Sequence, residues 1–435
     1  MSAAQLTAKG SEGKRAAERP FPPVPLGNNA DFTSTPTGAT TCETPANGVD
    51  IHFVLPPPAT VKAWYLRSAA RDLLHRNAVT VTRHGEEGMP RLRWCGSRIR
   101  RGLDGVNVYS RPDRAYGRVW GVCICGQSMV CPVCAPRIAA FRAGEVTECF
   151  TRSQKAGYEA RLNTYTVPHA LGDGLGREVD CFGVAWANYM SGREAVTTRR
   201  RSLGYHCGRE ATWSERNGWH YHHHVLRYDE PDTFSEERER ARWLAALESV
   251  GRRWRGAELH AFDSGVVGSE AGASYVSKLA TAVDAQARAI GSEIASASTK
   301  GRNFATLLLQ AVNGDAAAEK VWADGVRDIV RRKVSSVRWS RGLRERVGLS
   351  AEKTDAEVAQ EETTETDVFL GSLTASQWRG VLYWKAEFAL LCAANRGLDA
   401  VNDFLTGLSL GRLNDDPPPS GVQYSKEEYE EKSQC

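Results

Sequence analysis

Four histidines fall within five positions, His220, His222, His223 and His224. On a β-strand side chains alternate between faces, so His220, His222 and His224 would line one side while His223 joins Tyr221 and Val225 on the other. Neutral imidazole is the commonest nitrogen ligand for a divalent cation, whereas rings packed only as core would each need their own hydrogen-bond partner. The run is internal and flanked by apolar residues, which argues against a purification tag. This spacing predicts a metal-binding strand.

A carboxylate stands within reach upstream. Residues 210–213 read as a preceding strand with Glu210 and Thr212 on one face, and 215–218 read as the turn into the histidine strand. A three-residue loop of Arg216, Asn217 and Gly218, with Gly218 left-handed, predicts Glu210 opposite His224 and diagonal to His222. A two-residue Asn-Gly turn would throw Glu210 onto the other face, so the metal site requires the odd-length loop. Two imidazoles and one carboxylate leave positions open on an ion. That mixed set suits Mg²⁺ or Mn²⁺ working on phosphate oxygens, or Zn²⁺ carrying a bound water.

Further along, residues 269–282 look helical, with Ser269 as N-cap and Glu270 in the first turn. Tyr275 and Lys278 lie three apart and share a face. A tyrosine phenolate can attack a phosphodiester and leave a covalent phosphotyrosine when a cation neutralises the non-bridging oxygens and a positive group eases ionisation of the phenol. A structural role is the competing reading: a core aromatic with its hydroxyl at the surface, beside a solvated lysine.

The order of these motifs resembles that of the HUH-type rolling-circle replication initiators of actinobacterial plasmids and integrative elements. The residues that carry the resemblance are Thr164, Thr166 and His169, then Glu210 with 218–224, then Tyr275 and Lys278. Cys125, Cys131 and Cys134 with Arg137 and Arg142 are similar to the cysteine segment that precedes the nuclease part of that family, and 337–344 is similar to a segment that follows it. The resemblance runs from about residue 95 to 408. It implies His222 and His224 as the metal-binding pair, Glu210 as the third ligand and Tyr275 as the nucleophile. His223 occupies a position that is hydrophobic in that family, so a register using His220 and His222 stays open. Some relatives place a glutamate one helical turn before the tyrosine; here that position is Ala271, with Glu270 one residue off the face. The implied fold is α+β, an RRM/ferredoxin-like HUH endonuclease domain in which a central antiparallel sheet of about five strands carries the histidines and helices cover one face.

Cys131 and Cys134 form a CxxC pair after a turn-rich stretch, which looks like half of a zinc knuckle; Cys125 is the expected third Zn²⁺ ligand, with Cys95 and Cys123 competing for the fourth place. No thioredoxin-like βαβ pattern surrounds the pair, which disfavours redox chemistry. Buried inert thiols are the plain alternative.

The chain has 435 residues, 41% hydrophobic and 25% charged, the composition of a soluble globular protein of more than one unit. Its 11 cysteines favour thiols and a metal site over disulfides. Neither a membrane span nor a signal pattern is visible, so a cytoplasmic location is expected. The net charge of +4 is unevenly spread. Arginines dominate 67–137 and recur at Arg199, Arg200 and Arg201, at Arg252, Arg253 and Arg255, and through 331–346, interleaved with tryptophans such as Trp254; acid concentrates in 352–367 and 415–431. Arginine with aromatic interleaving suits phosphate contacts and base stacking on single strands, although a charge run is more often a solvated face.

Expected organisation is a disordered segment over 1–60, a basic cysteine-rich zinc region over 61–150, a nuclease domain over 151–300, a mostly helical region over 301–410 and a disordered acidic tail over 411–435. Helices are expected over 61–74, 180–200 and 236–254, a strand over 161–167, and a helical run over 375–408 with a Thr374/Gln377 capping box and an interruption at Gly397. The expected activity is metal-dependent nicking and ligation of plasmid origin DNA, presented as single strand or extruded hairpin, with a host helicase and DNA polymerase as partners. A conjugative relaxase or transposase with the same chemistry is an alternative. So is a non-catalytic zinc-binding DNA-binding regulator, which would leave Glu210, the histidine row and Tyr275 without a joint role.

Overall fold

The structure, a computed structural model, describes residues 58–83, 86–253, 260–267, 301–360 and 364–413. Tyr275, Lys278, Trp254 and Arg255 lie outside the described residues. Its centre is a five-stranded antiparallel sheet built from β5 (Glu159–Thr166), β6 (Ser202–Ser214), β7 (Gly218–Asp229), β8 (Phe262–Val266) and β9 (Val337–Trp339), in the order β8-β5-β7-β6-β9. The fold is α+β, as expected.

Alternation along β7 decides what each face does. Tyr221, His223 and Val225 point into a core formed by α3 (Leu175–Tyr189) and α5 (Glu236–Glu248), where the His223 ring lies 3.7 Å from Phe182. Trp243 of α5 is fully buried there and donates its indole N–H to Thr166 O at 3.1 Å. His222 and His224 face the other side. Part of that side is also covered, because Val146, Cys149 and Phe150 of α2 (Cys134–Lys155) pack on Leu226, Tyr228 and Trp339. Helices therefore lie on both faces of the sheet, and among the described residues those on the histidine face leave its hairpin end uncovered.

The long helix expected over 180–200 is two, α3 and α4 (Gly192–Arg200), because Gly192 at φ +84° carries the chain through a turn that a continuous helix could not make. The expected 236–254 helix stops at Glu248, and Gly251 at φ +72° follows it. The capping box at Thr374 is present, yet the 375–408 run divides into α10 (Ala375–Tyr383), α11 (Glu387–Asn395) and α12 (Leu398–Gly407), broken at Lys385 (φ +51°) and Gly397 (φ +100°). Before these come α6 (Phe304–Val312), α7 (Ala316–Arg331) and the short α8 (Leu343–Arg346) and α9 (Asp355–Ala359). The region after residue 300 also supplies two strands that helical periodicity did not announce, β9 and β10 (Val368–Thr374). β10 pairs with β3 (Gly105–Ser110), itself paired with β4 (Arg118–Trp120), and Val106, Val108 and Leu373 from this small sheet close a second core with Trp378, Leu390 and Val401. α1 (Pro58–Arg76) packs its apolar side, Leu66, Ala70 and Leu74, into the main core and is followed by the antiparallel pair β1 (Val81–Arg83) and β2 (Glu86–Gly88). Among the described residues no helix is long and apolar enough to cross a membrane.

One core residue makes the fold acid-sensitive. His206 on β6 is fully buried between Tyr228 and Trp339, and burial alone lowers its pKa to about 3. Its folded value lies below the unfolded value near 6.5, so an unfolded chain binds a proton that the folded chain refuses. The resulting stability is complete above pH 6.5 and is lost as pH falls from 6.5 through about 3. Urea unfolding at pH 6.5 and 4.5 should show His206→Phe losing less stability than the parent over that interval, by on the order of 2 kcal/mol. Equal losses would remove His206 as the cause.

Candidate metal centres

Strands β6 and β7 form the hairpin that builds the first site. Its turn is odd-numbered, as the site requires, but it closes one residue earlier than the sequence suggested. Ser214 pairs with Gly218, which begins β7 at φ +74°, and the Asn217 N–H donates to Ser214 Oγ at 3.2 Å. A Cβ at residue 218 would also press within 3.0 Å of the Ala170 carbonyl, so the position is doubly suited to glycine. This register pairs Trp213 with Trp219 and places Glu210 directly opposite His222, with His224 on the diagonal. The expected partner assignment is therefore reversed, while Glu210 keeps the histidine face. The start of α6 braces the hairpin: Arg302 exchanges backbone hydrogen bonds with Trp213, and Phe304 packs on Trp219.

Glu210, His222 and His224 converge. Glu210 Oε2 lies 3.2 Å from His222 Nε2 and 3.6 Å from His224 Nε2, and the two imidazole nitrogens are 3.0 Å apart. Ligands about 2.1 Å from one octahedral ion would sit about 3.0 Å apart, so these three atoms fit one face of a coordination shell. Burial pushes the Glu210 carboxyl up, but hydrogen bonds from His222 and His224 outweigh it and hold the group well below the usual range, so it is a carboxylate. Thr164, the β5 partner of His224, meets Nδ1 of that ring at 3.0 Å and so turns Nε2 towards Glu210. The Nδ1 of His222 is buried, with no hydrogen-bond partner among the described residues. These three residues could hold a divalent cation.

His220 stands beside this set, outside the converging group. Its ring stacks on His222 at 4.6 Å and on His169 at 4.9 Å, giving a column of three imidazoles. Burial, with the neighbouring His222 and His169, lowers the His220 pKa to about 4, and burial lowers that of His169 as well. Sequence reading gave neither the stack nor the Thr164 contact. Face parity would have offered the second, since Thr164 and His224 are direct partners across β5 and β7.

The second site lies where α2 begins. Cys95 Sγ is 3.8 Å from Cys131 Sγ and 3.5 Å from Cys134 Sγ, and Cys125 Sγ is 3.6 Å from Cys134 Sγ. Tetrahedral Zn²⁺–thiolate bonds of about 2.3 Å imply sulfur separations of about 3.8 Å, which these approach and which no disulfide could share. The fourth member of the cluster is Cys95 and not Cys123. All four are buried, and the sulfurs also order the backbone: Cys131 Sγ accepts from the Cys134 N–H at 3.4 Å at the start of α2, and Cys125 Sγ accepts from the Gln127 N–H at 3.5 Å. Hydrogen bonds from the other three cysteines depress the Cys95 thiol, burial raises that of Cys125, and Cys134 is raised too. The four sulfurs together could hold an ion such as zinc.

Part of this chain is similar to "Protein rep" of Streptomyces lividans. The two are 29% identical over 136 residues, 25% of this chain and 30% of the other. A "Neomycin resistance protein" of Streptomyces cyanogenus is 26% identical over 145 residues, 27% of this chain and 33% of the other. The chain spans about a third of the length of the curated relatives it matches. No family model matches it, and neither does any solved structure.

The arginines expected to touch DNA fare differently from one another. Arg199 and Arg200 are exposed on α4, and Arg201 pairs with Glu230 at 2.9 Å. Arg252 is half-buried and bridges Asp173 and Glu178, each at 2.8 Å, and the Pro168 carbonyl, which makes it a brace between loop and helix. Arg253 pairs with Glu248.

Proposed function

We propose that this protein initiates rolling-circle replication of a plasmid or integrative element by nicking and rejoining one strand of origin DNA. The observation that carries the reading is the convergence of Glu210, His222 and His224 on one open sheet face. The partial similarity to "Protein rep" supports it, as does the placement of the Tyr275 and Lys278 motif after β8. After Lys300 the chain re-enters the described structure at Gly301, against Thr212 on the same strand and face as Glu210.

Glu210, His222 and His224 would hold Mg²⁺ or Mn²⁺, which when bound neutralises the non-bridging oxygens of the scissile phosphate. Thr164 orients His224, and the column of His169 and His220 fixes the plane of His222. Tyr275 Oη gives up its proton and attacks phosphorus. The P–O3′ bond breaks, the 3′ oxygen takes a proton, and the 5′ phosphate stays on the tyrosine. Lys278 eases ionisation of the phenol. The freed 3′ hydroxyl primes a host polymerase behind a host helicase, and reversal of the attack rejoins the strand. The four cysteines would hold Zn²⁺ and so anchor α2, which covers part of the same sheet face.

Incubating the protein with a single-stranded origin oligonucleotide and Mn²⁺ is expected to yield a covalent protein–DNA adduct that withstands denaturing gel electrophoresis and disappears in Tyr275→Phe. An undiminished adduct in that variant would assign the nucleophile elsewhere.

A further inference from the structure

We propose that a cavity of about 500 Å³ on the opposite face of the sheet is a nucleotide site, with Trp186 and Tyr205 receiving the base and Arg200 and Arg341 the phosphate. The cavity lies between α3, α4, the Ser202 end of β6 and the loop after β9. Tyr205 and Arg227 pair across β6 and β7 and share their face with Cys207 and Val225, so the pocket has no residue in common with Glu210, His222 and His224. Its size falls within the roughly 300–1,000 Å³ of small-molecule sites.

Charge makes the pocket distinctive. Six arginines line it, Arg199, Arg200, Arg227, Arg242, Arg341 and Arg346. Two are neutralised: Arg227 by Asp229 at 2.7 Å and Glu239 at 3.4 Å, and Arg242 by Glu239 at 3.0 Å and Glu194 at 3.7 Å. Arg199 and Arg346 donate to the Met190 and Leu203 carbonyls, which hold the side chains without cancelling their charge. Arg200 and Arg341 are exposed, and among the described residues no carboxylate pairs with either. A solvated basic face would be interleaved with acid and would need no recess. Here guanidinium groups without acidic partners rim an opening whose floor is aromatic, Trp186 meeting Tyr205 edge-on at 5.6 Å with Tyr189 behind.

Stacking surface for a base and guanidinium forks for phosphate oxygens are the two elements of nucleotide recognition that does not read sequence. The lip is fixed in place. Ser340 Oγ accepts from the Tyr205 N–H at 2.8 Å, and Gly204, at φ +133°, lies so close that a Cβ would come within 2.5 Å of that oxygen. The ligand is a base bearing a phosphate, either as a free nucleotide or as one unit of a single strand.

Calorimetry without added Mg²⁺ or Mn²⁺ tests this independently of the strand-nicking reading, because neither Glu210 nor Tyr275 takes part. The probes are deoxyadenosine monophosphate, deoxyadenosine, inorganic phosphate, and a short single strand with or without its bases. Binding of the mononucleotide or the base-bearing strand at least about tenfold tighter than the other probes is expected. Arg200→Glu and Arg341→Glu should each weaken it by a similar factor at unchanged Tm, with the glutamine variants as milder substitutes if Tm falls. A mononucleotide signal identifies the free ligand, and a signal from the strand alone identifies a strand nucleotide. Equal binding of abasic and base-bearing strands, indifference to both arginine substitutions, or no binding by any probe would overturn the proposal.

Discussion

Cys131→Ser should leave a protein that no longer unfolds cooperatively and carries less than stoichiometric zinc. Four buried sulfurs stand at the separations of a tetrahedral site, and removing one leaves the other three with an incomplete ligand set in a low-dielectric core. Structural zinc sites contribute about 10–16 kcal/mol of apparent binding free energy, as much as the roughly 5–15 kcal/mol that separates most folded domains from the unfolded chain. The effect should spread beyond the cluster. Cys134 opens α2 and donates its backbone N–H to Cys131 Sγ, and α2 covers Leu226 and Tyr228 on the central sheet, while Cys95 and Cys125 lie in the same core as Leu66 and Leu74 of α1. Cys149→Ser is the control. That thiol is equally buried in α2 but stands outside the cluster, so it should keep its zinc and lose only about 1–2 kcal/mol. Circular-dichroism melts with metal analysis by atomic absorption read both quantities. A Cys131→Ser protein that melts like the parent would mean that the thiols are inert packing.

Short-range periodicity carried much of the information about the first site. Alternation along residues 220–225 separated His220, His222 and His224 from His223, and of the two turns open to Asn217 and Gly218 only the odd-length one keeps Glu210 on their side. The register within that face was not legible, because whether Gly218 ends the loop or begins the strand depends on the pairing of Trp213 with Trp219 and on the hydrogen bond to Ser214 Oγ. For the cysteines, spacing singled out Cys125, Cys131 and Cys134, whereas nothing local shows that Cys95 completes the cluster while Cys123, whose backbone hydrogen-bonds to Gly96 and Arg98, is disulfide-bonded. Contacts between distant segments left no local trace at all. β9 joins the edge of the sheet beside β6, and β10 completes a sheet with β3, yet both are short strands in a region whose composition reads as helical. The arginine pocket is of the same kind. Arg200 and Arg341 look like members of two unrelated basic runs until the Ser340 contact to Tyr205 brings them to one rim.

Glu210→Ala should lower Mn²⁺-dependent adduct formation by at least about a hundredfold, and His222→Ala should match it. Both residues supply atoms to the same small triangle, so losing either leaves two ligands where three converge. Substitutions one layer out commonly cost about 10–100-fold in metal affinity or activity, which sets a floor for the ligands themselves. Thr164→Val should fall in that outer range, because it frees the His224 ring without removing its nitrogen. The two classes should separate on titration with Mn²⁺. Excess ion can offset a misaligned imidazole by mass action, so Thr164→Val recovers, whereas Glu210→Ala lacks the carboxylate at any concentration. Loss of fold should not intrude, since the Glu210 side chain is 38% exposed on the open end of the sheet. His223→Phe provides the matching control on the other face. Its ring packs on Phe182 in the helical core and contributes nothing to the triangle, so a folded variant should form adduct at close to the parental rate. If Glu210→Ala nicks as well as the parent while His223→Phe, still folded, does not, the catalytic face of the sheet is the wrong one.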